Sequence, residues 1–299
     1  MMDQAAQLRK LSARRNPGAA GGHPRRDKTR PARRVGSCRS IAVTSGKGGV
    51  GKSSISLFLA QSLARLTKRV LVFDADLGLA NIHILMGVSP RYNLAHVVRG
   101  ECALDDIVLD GPGGVRVAPG ASGIEAMANL DSLGIESLVR ELVTLEEGND
   151  FLIVDIGAGI GQNALRLSAA ADSALLVLTP EPTSLADAYA TAKLLFAKGM
   201  RRIAVLVNMA SSDAEGREIF DKFQTLVGNF LNRKLALAGI LPFDKDIPRL
   251  VRSQRRYLAH KPKSTIAVRM NAYARALCGL PPAAPGNFFT RLFGPKAEE

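Results

Sequence analysis

Ile41-Ala42-Val43-Thr44 runs directly into Ser45-Gly46-Lys47-Gly48-Gly49-Val50-Gly51-Lys52-Ser53-Ser54, and a helical pattern, Ser53–Leu66, follows at once. An apolar strand, a glycine-rich turn and a helix in that order satisfy GxxxxGK[ST], with Gly46 as the first glycine. Glycines let successive backbone N–H groups curl around an anion, and the amino end of the helix adds its positive pole. In this reading Gly46 to Ser54 form the nucleotide-binding loop. Lys52 neutralises the β- and γ-phosphates, and the Ser53 hydroxyl sits on Mg²⁺.

Short apolar runs recur after this loop: Val70–Phe73, Val115–Ala118, Phe151–Val154, Ala174–Leu178, Ile203–Val207 and Leu235–Leu241. Helical patterns lie between many of them, at Ile135–Leu145, Ser184–Ala197 and Glu215–Phe230. Strands that are apolar without alternation, separated by helices, predict a parallel sheet covered on both faces. The expected fold is therefore α/β, a doubly wound and mostly parallel sheet, occupying residues 40–280.

The chain has 299 residues, 46% of them apolar and 22% charged, so a sizeable core is available. Its net charge of +13 first suggests a nucleic acid or an anionic membrane as partner. Residues 1–40 alone carry 11 Lys/Arg against 2 Asp/Glu, an excess of +9 that leaves +4 for the other 259. The charge is concentrated in an arm. Residues 13–39 are rich in Arg, Gly and Pro without apolar periodicity, which predicts a disordered basic linker behind a short N-terminal segment, 1–12. Cys38, Cys102 and Cys278 are odd in number and far apart, which argues against a disulfide framework or a CxxC metal site. With neither a signal-peptide core nor an apolar run long enough to span a bilayer, the expected location is cytoplasmic.

Further along, Val72-Phe73 leads into Asp74-Ala75-Asp76, two carboxylates at the carboxyl end of a strand where ligands of such sheets bind. Phe151–Val154 leads into Asp155, which reads as a Walker B aspartate holding Mg²⁺ through water. Gly157 and Gly159 then suit a switch segment that senses the γ-phosphate.

The extra lysine, Lys47, makes the loop KGGxGKS, which resembles the deviant Walker A loop of the MinD/ParA family of P-loop ATPases. The resemblance implies that Lys47 reaches across an ATP-sandwich homodimer to the partner's phosphates and, with Lys52 and Asp76, forms the catalytic set. It implies that Asp76 polarises the attacking water and that Asp74 supports the Mg²⁺ shell, with Asn81 in switch I. It also implies that Asn208 hydrogen-bonds adenine beside Pro242; the GTPase signal NKxD is absent, since the chain reads Asn208-Met209-Ala210-Ser211. Two positions depart from the family pattern. Ile156 stands where relatives carry Ser or Thr, and His83 where they often carry an acid.

Both ends sharpen the resemblance. In Asn287–Gly294, Phe288, Phe289, Leu292 and Phe293 fall on one helical stripe, similar to the C-terminal membrane-targeting helix of MinD. Within 281–299 this predicts peripheral attachment to anionic lipids of the inner membrane when ATP is bound. At the other end Asp3-Gln4-Ala5-Ala6-Gln7-Leu8-Arg9 matches DQAxxLR, the motif by which FlhG-type proteins (also called FleN) act on the flagellar SRP-type GTPase FlhF. Asp3, Gln4, Ala5, Leu8 and Arg9 are the residues so implied. The chain thus resembles a regulator of flagellar number and placement, with C-ring proteins or a flagellar transcription regulator as further partners. The competing expectation is a MinD-like septum-site or ParA-like partitioning ATPase, with Arg249, Arg252, Arg255 and Arg256 on DNA phosphates. A solvated helix face explains those arginines better, and nucleic acid is not expected as a partner.

Overall fold

The computed structural model describes residues 38–76, 80–120, 145–146, 148–253 and 257–281. The motif at 3–9, the basic stretch through residue 37, the helical pattern at 135–144, the stripe at 287–294, and Arg255 and Arg256 lie outside the described residues.

Among the described residues one sheet of eight strands organises the chain, in the order β3-β4-β2-β5-β1-β6-β7-β8. The strands are β1 (Arg39–Thr44), β2 (Val70–Ala75), β3 (Leu109–Asp110), β4 (Val115–Ala118), β5 (Phe151–Ile156), β6 (Ser173–Leu178), β7 (Ile203–Ala210) and β8 (Ala236–Pro242). All neighbours pair in parallel except β3, which pairs antiparallel with β4. The seven strands expected from the sequence are all present. The eighth, β3, has two residues, too few for any periodicity to show.

Parallel strands buried on both faces explain the unbroken apolar runs: all six residues of β2 and of β5 are buried. On one face lie α1 (Lys52–Arg65) and α9 (Thr265–Leu277). Ile55, Leu59 and Leu63 of α1 meet Ile266, Met270 and Ala274 of α9 in one apolar cluster with β1, β2 and β5. On the other face α5 (Pro182–Ala197) contributes Ala188, Ala192 and Leu195, and α6 (Asp213–Leu231) contributes Phe220, Phe223 and Val227. Each set recurs at three or four residues, the helical period of an apolar stripe.

Short helices α2 (Ile82–Met86) and α3 (Leu94–Val98) follow β2, α4 (Gln162–Ala170) joins β5 to β6, and α7 (Asp246–Arg252) and α8 (Tyr257–His260) precede α9. The sheet's last strand, β8, is an edge, and unpaired edge groups invite association. Arg269 of α9 covers part of it, donating to the Ile240 carbonyl at 2.6 Å and to Asp213 of α6 at 2.6 Å.

β1 stands between β5 and β6, so successive connections leave it in opposite directions and open a crevice above its carboxyl end. The glycine-rich loop fills that position.

Candidate nucleotide-binding site

Residues 45–51 join β1 to α1 and carry the loop across the crevice. Gly51 precedes the helix in a left-handed conformation, φ +92°, and Gly49 has φ +80°. Close approach adds to this. A Cβ at Gly51 would lie 2.6 Å from the Asn208 side-chain nitrogen, and one at Gly46 would lie 2.2 Å from the backbone of Asp187 on α5. The Ser45 hydroxyl donates to the Lys47 carbonyl at 2.6 Å, which holds the start of the loop. Val50 is buried in the core below it.

Lys52, Ser53, Asp76 and Asp155 converge at the amino end of α1. Asp155 is 1% exposed and accepts from Ser53 and, at 2.7 Å, from the Ser56 hydroxyl of the same helix. Burial raises its pKa, opposed by those hydroxyls and by the Lys52 charge. Burial lowers the pKa of Lys52, opposed by Asp155 and Asp76. Lys52 and Asp155 therefore support each other's charged form, whereas Asp76 favours the charge of Lys52 and opposes that of Asp155. Asp76 lies against the next switch: a Cβ on Gly157 would stand 3.2 Å from its Oδ1. Gly159 donates its N–H to the Ser45 carbonyl at 3.2 Å, tying the segment after β5 to the loop.

Asp74 faces the backbone instead. Its Oδ2 accepts from the N–H groups of Asn81 (2.8 Å) and Ile82 (2.9 Å), and its Oδ1 from Asp76 N–H (3.3 Å). It caps the start of α2 and anchors Asn81 and Asp76 to the end of β2, so any part it plays at a metal is indirect. Full burial pushes its pKa to about 7, against the pull of these three donors. Ile156 points into the apolar cluster beneath α3 and is 1% exposed, in register with Ala75. A hydroxyl at this position would be buried there. His83, on α2, keeps a buried Nδ1 without a hydrogen-bond partner, and burial lowers its pKa.

Among the described residues no three His, Cys, Asp or Glu side chains gather as a metal cage. The donors present suit Mg²⁺, which binds through one or two protein oxygens together with waters and phosphates. Ser53 with Asp155 behind it is such a set, its carboxylate already bonded to the serine that would hold the ion.

Asn208 and Pro242 stand at neighbouring strand ends, where β7 and β8 pair Ala210 with Pro242 after a register shift. Met209 between them has φ +60°, uncommon for a side chain of its size, and lies at the irregularity. The Asn208 amide donates to the Val50 carbonyl at 2.8 Å, so it is fixed on the phosphate loop itself. That bond uses one N–H of the amide and leaves out its carbonyl oxygen and second N–H.

Two residues that the sequence reading did not single out complete the site. The Lys47 ammonium meets the Glu181 carboxylate, just before α5, and donates to the Thr183 hydroxyl at 3.3 Å. The pair spans 134 positions and exists because β6 lies beside β1. The available signal was the place of Glu181 just beyond the carboxyl end of β6, the same crevice. Of the four arginines considered for DNA, Arg249 is described with its side chain, 3.2 Å from Asp246 on its own helix.

The family description "CobQ/CobB/MinD/ParA nucleotide binding domain" matches residues 41–257. Antiactivator FleN of Pseudomonas aeruginosa is 43% identical over 247 residues, covering 82% of this chain and 88% of its own length. Flagellum site-determining protein YlxH of Helicobacter pylori is 36% identical over 225 residues, 74% of this chain and 75% of its own. The solved cell division ATPase MinD of Pyrococcus furiosus superposes with a TM-score of 0.68 at 26% identity, covering 81% of this chain and 98% of that one.

Proposed function

This chain is a P-loop ATPase of the CobQ/CobB/MinD/ParA nucleotide-binding family, and from that premise we propose an ATP-dependent dimerising switch, peripheral at the membrane, that regulates flagellar number and placement. The observation that carries the switch is Lys47, whose charge is held at the rim of the crevice by Glu181 and Thr183. The flagellar assignment draws on the likeness to FleN and YlxH together with Asp3–Arg9.

The chain's residues divide the work. Backbone N–H groups of residues 46–52 and the Lys52 ammonium bind the phosphates of ATP, Asn208 and Pro242 receive the base, and Ser53 with Asp155 holds Mg²⁺. Mg²⁺ held there would supply charge neutralisation to the triphosphate. Asp76 accepts a hydrogen bond from the attacking water and orients it, while Gly157 and Gly159 let the switch follow the γ-phosphate.

Lys47 decides when the dimer forms. An ion pair as exposed as Lys47–Glu181, with 27% and 62% of the side chains accessible, contributes about 0–1 kcal/mol after solvent screening. Charge-assisted bonds from Lys47 to a partner's triphosphate in a closed interface outweigh it. The pair therefore holds the lysine without trapping it. Glu181→Gln is expected to lower the ATP concentration for half-maximal dimerisation by up to about fivefold, read by light scattering. A rise in that concentration would make Glu181 part of the dimer contact instead.

For the partner GTPase, Asp3, Gln4, Ala5, Leu8 and Arg9 are the contact residues, and the stripe of Phe288, Phe289, Leu292 and Phe293 is the membrane contact. Two such stripes in a dimer gain effective concentration, so attachment follows ATP. A peptide of residues 1–15 added to a purified FlhF-type GTPase is expected to raise GTP turnover about tenfold or more. No change would leave a MinD-like ATPase without that partner.

A further inference from the structure

Both termini of the ATPase domain leave from one corner. Arg39, which opens β1, donates to the carbonyl of Leu277 at the end of α9 and stacks 5.7 Å above the Phe151 ring. Three residues after α9 closes on Cys278, Arg275 holds the carbonyl of Pro281 at 2.7 Å. The basic arm ending at Cys38 and the segment carrying Phe288–Phe293 thus start from adjacent points. The corner belongs to the end of the sheet where the parallel strands begin, opposite the phosphate loop.

The described residues at that end are rich in cations. Lys68 precedes β2, Arg201 and Arg202 precede β7, Arg233 and Lys234 precede β8, and Lys198 caps α5. Cations at the carboxyl ends of helices stabilise the helix dipole, which accounts for Lys198 and Arg233. It does not account for Arg201, Arg202 and Lys234, which sit in front of strands and are exposed. Arg39, Arg201 and Arg202 border one hollow of about 480 Å³ with Cys38 and Asp172. Asp172 is engaged internally, accepting from Ser40 N–H (2.8 Å) and from the Ser40 hydroxyl (2.9 Å). Two further carboxylates stand at this end: Asp150 faces Arg69 at 3.6 Å, and Glu146 lies close enough to Cys38 and Asp172 to act on both electrostatically.

We propose that this end of the fold, together with the basic arm, is a docking surface for anionic phospholipid headgroups and a second membrane signal beside the C-terminal stripe. The inference rests on the membrane attachment proposed above. One short apolar helix binds a bilayer weakly, and stable attachment takes two signals, of which a polybasic patch is a common one. In sequence, the arm that leads into Arg39 adds three arginine pairs, Arg14-Arg15, Arg25-Arg26 and Arg33-Arg34. A surface carrying phosphatidylglycerol attracts such clusters within a Debye length, about 10 Å at 0.1 M salt. The arm's excess of +9 thereby acquires a target that the nearly balanced ATPase domain does not supply.

The test is flotation of the full-length chain with Mg-ATP on vesicles of phosphatidylcholine alone or with 30% (about one third) phosphatidylglycerol. Three variants are compared with the wild type: the six arm arginines changed to Gln, Arg201→Gln with Arg202→Gln, and Phe288→Glu with Phe289→Glu. Wild type is expected to prefer the anionic vesicles and to lose that preference as salt rises toward about 1 M, where the Debye length is near 3 Å. The arm variant is expected to bind anionic vesicles about tenfold or more weakly, the Arg201/Arg202 variant several-fold more weakly, and both to keep wild-type ATP turnover in solution. Wild-type flotation by both basic variants would overturn the proposal while leaving the stripe as the membrane contact. So would basic variants that lose binding to random duplex DNA, or stimulation of the partner GTPase, with flotation unchanged. Failure of the wild type to float on any vesicle would remove the membrane reading as well.

Discussion

Lys52→Ala is expected to abolish nucleotide binding, with affinity for Mg-ATP falling at least about a hundredfold in calorimetry, because truncating one member of a buried charged cluster costs about 2–5 kcal/mol. The size of the effect follows from the surroundings. Lys52 is half-buried at the amino end of α1, and Asp155 and Asp76 are the charges that keep it protonated. Remove the ammonium and two carboxylates face the triphosphate without the lysine charge that offsets them. The core beneath the loop does not use this side chain, so thermal unfolding of the ligand-free variant should stay close to wild type. Binding within tenfold of wild type would mean that the phosphates lie elsewhere.

Asp76→Ala should do the opposite in binding and the same in turnover. Retained ATP affinity with a loss of about 10²–10⁴-fold in the rate of hydrolysis is the expected pair of results, the range for removing a positioned acid–base group. Asp76 lies against Gly157, which places its carboxylate beside the segment expected to follow the γ-phosphate. Asp74, two residues earlier, is committed to the N–H groups of Asp76, Asn81 and Ile82. Hence the two aspartates separate experimentally: single-turnover hydrolysis collapses for Asp76→Ala, whereas Asp74→Ala primarily loosens α2. Equal behaviour of Lys52→Ala and Asp76→Ala in the binding assay would contradict the division of roles.

The phosphate loop was legible because its chemistry is local: consecutive glycines, a lysine and a serine between strand and helix. The parallel sheet was legible because β1, β2, β5 and β6 are buried on both faces and read as unbroken apolar runs. Other features escaped for physical reasons. The apolar face of α9 relies on Ile266, Met270 and Ala274, a stripe thinned by small residues and preceded by Lys261-Pro262-Lys263. β3 is a pairing of two residues whose stability comes from β4. The hold of Glu181 on Lys47 depends on strand order, which no local window contains. Asp74 and Asp76 look equivalent in sequence, and only the course of the chain after β2 turns one to the backbone and the other to the crevice. Ile156, a departure from the family pattern, is a core residue in the alternating register of β5, facing away from the side where Asp155 meets Ser56.

The central claim is that bound ATP and dimerisation are one event, joined by Lys47. Sedimentation velocity of the full-length chain with Mg-ADP, with Mg-ATP, and with Mg-ATP for Lys47→Ala tests it most directly. Monomers are expected with ADP, dimers with ATP, and monomers with ATP still bound for Lys47→Ala. A Lys47→Ala chain that dimerises with ATP as the wild type does, or a wild type whose sedimentation ATP leaves unchanged, would contradict it.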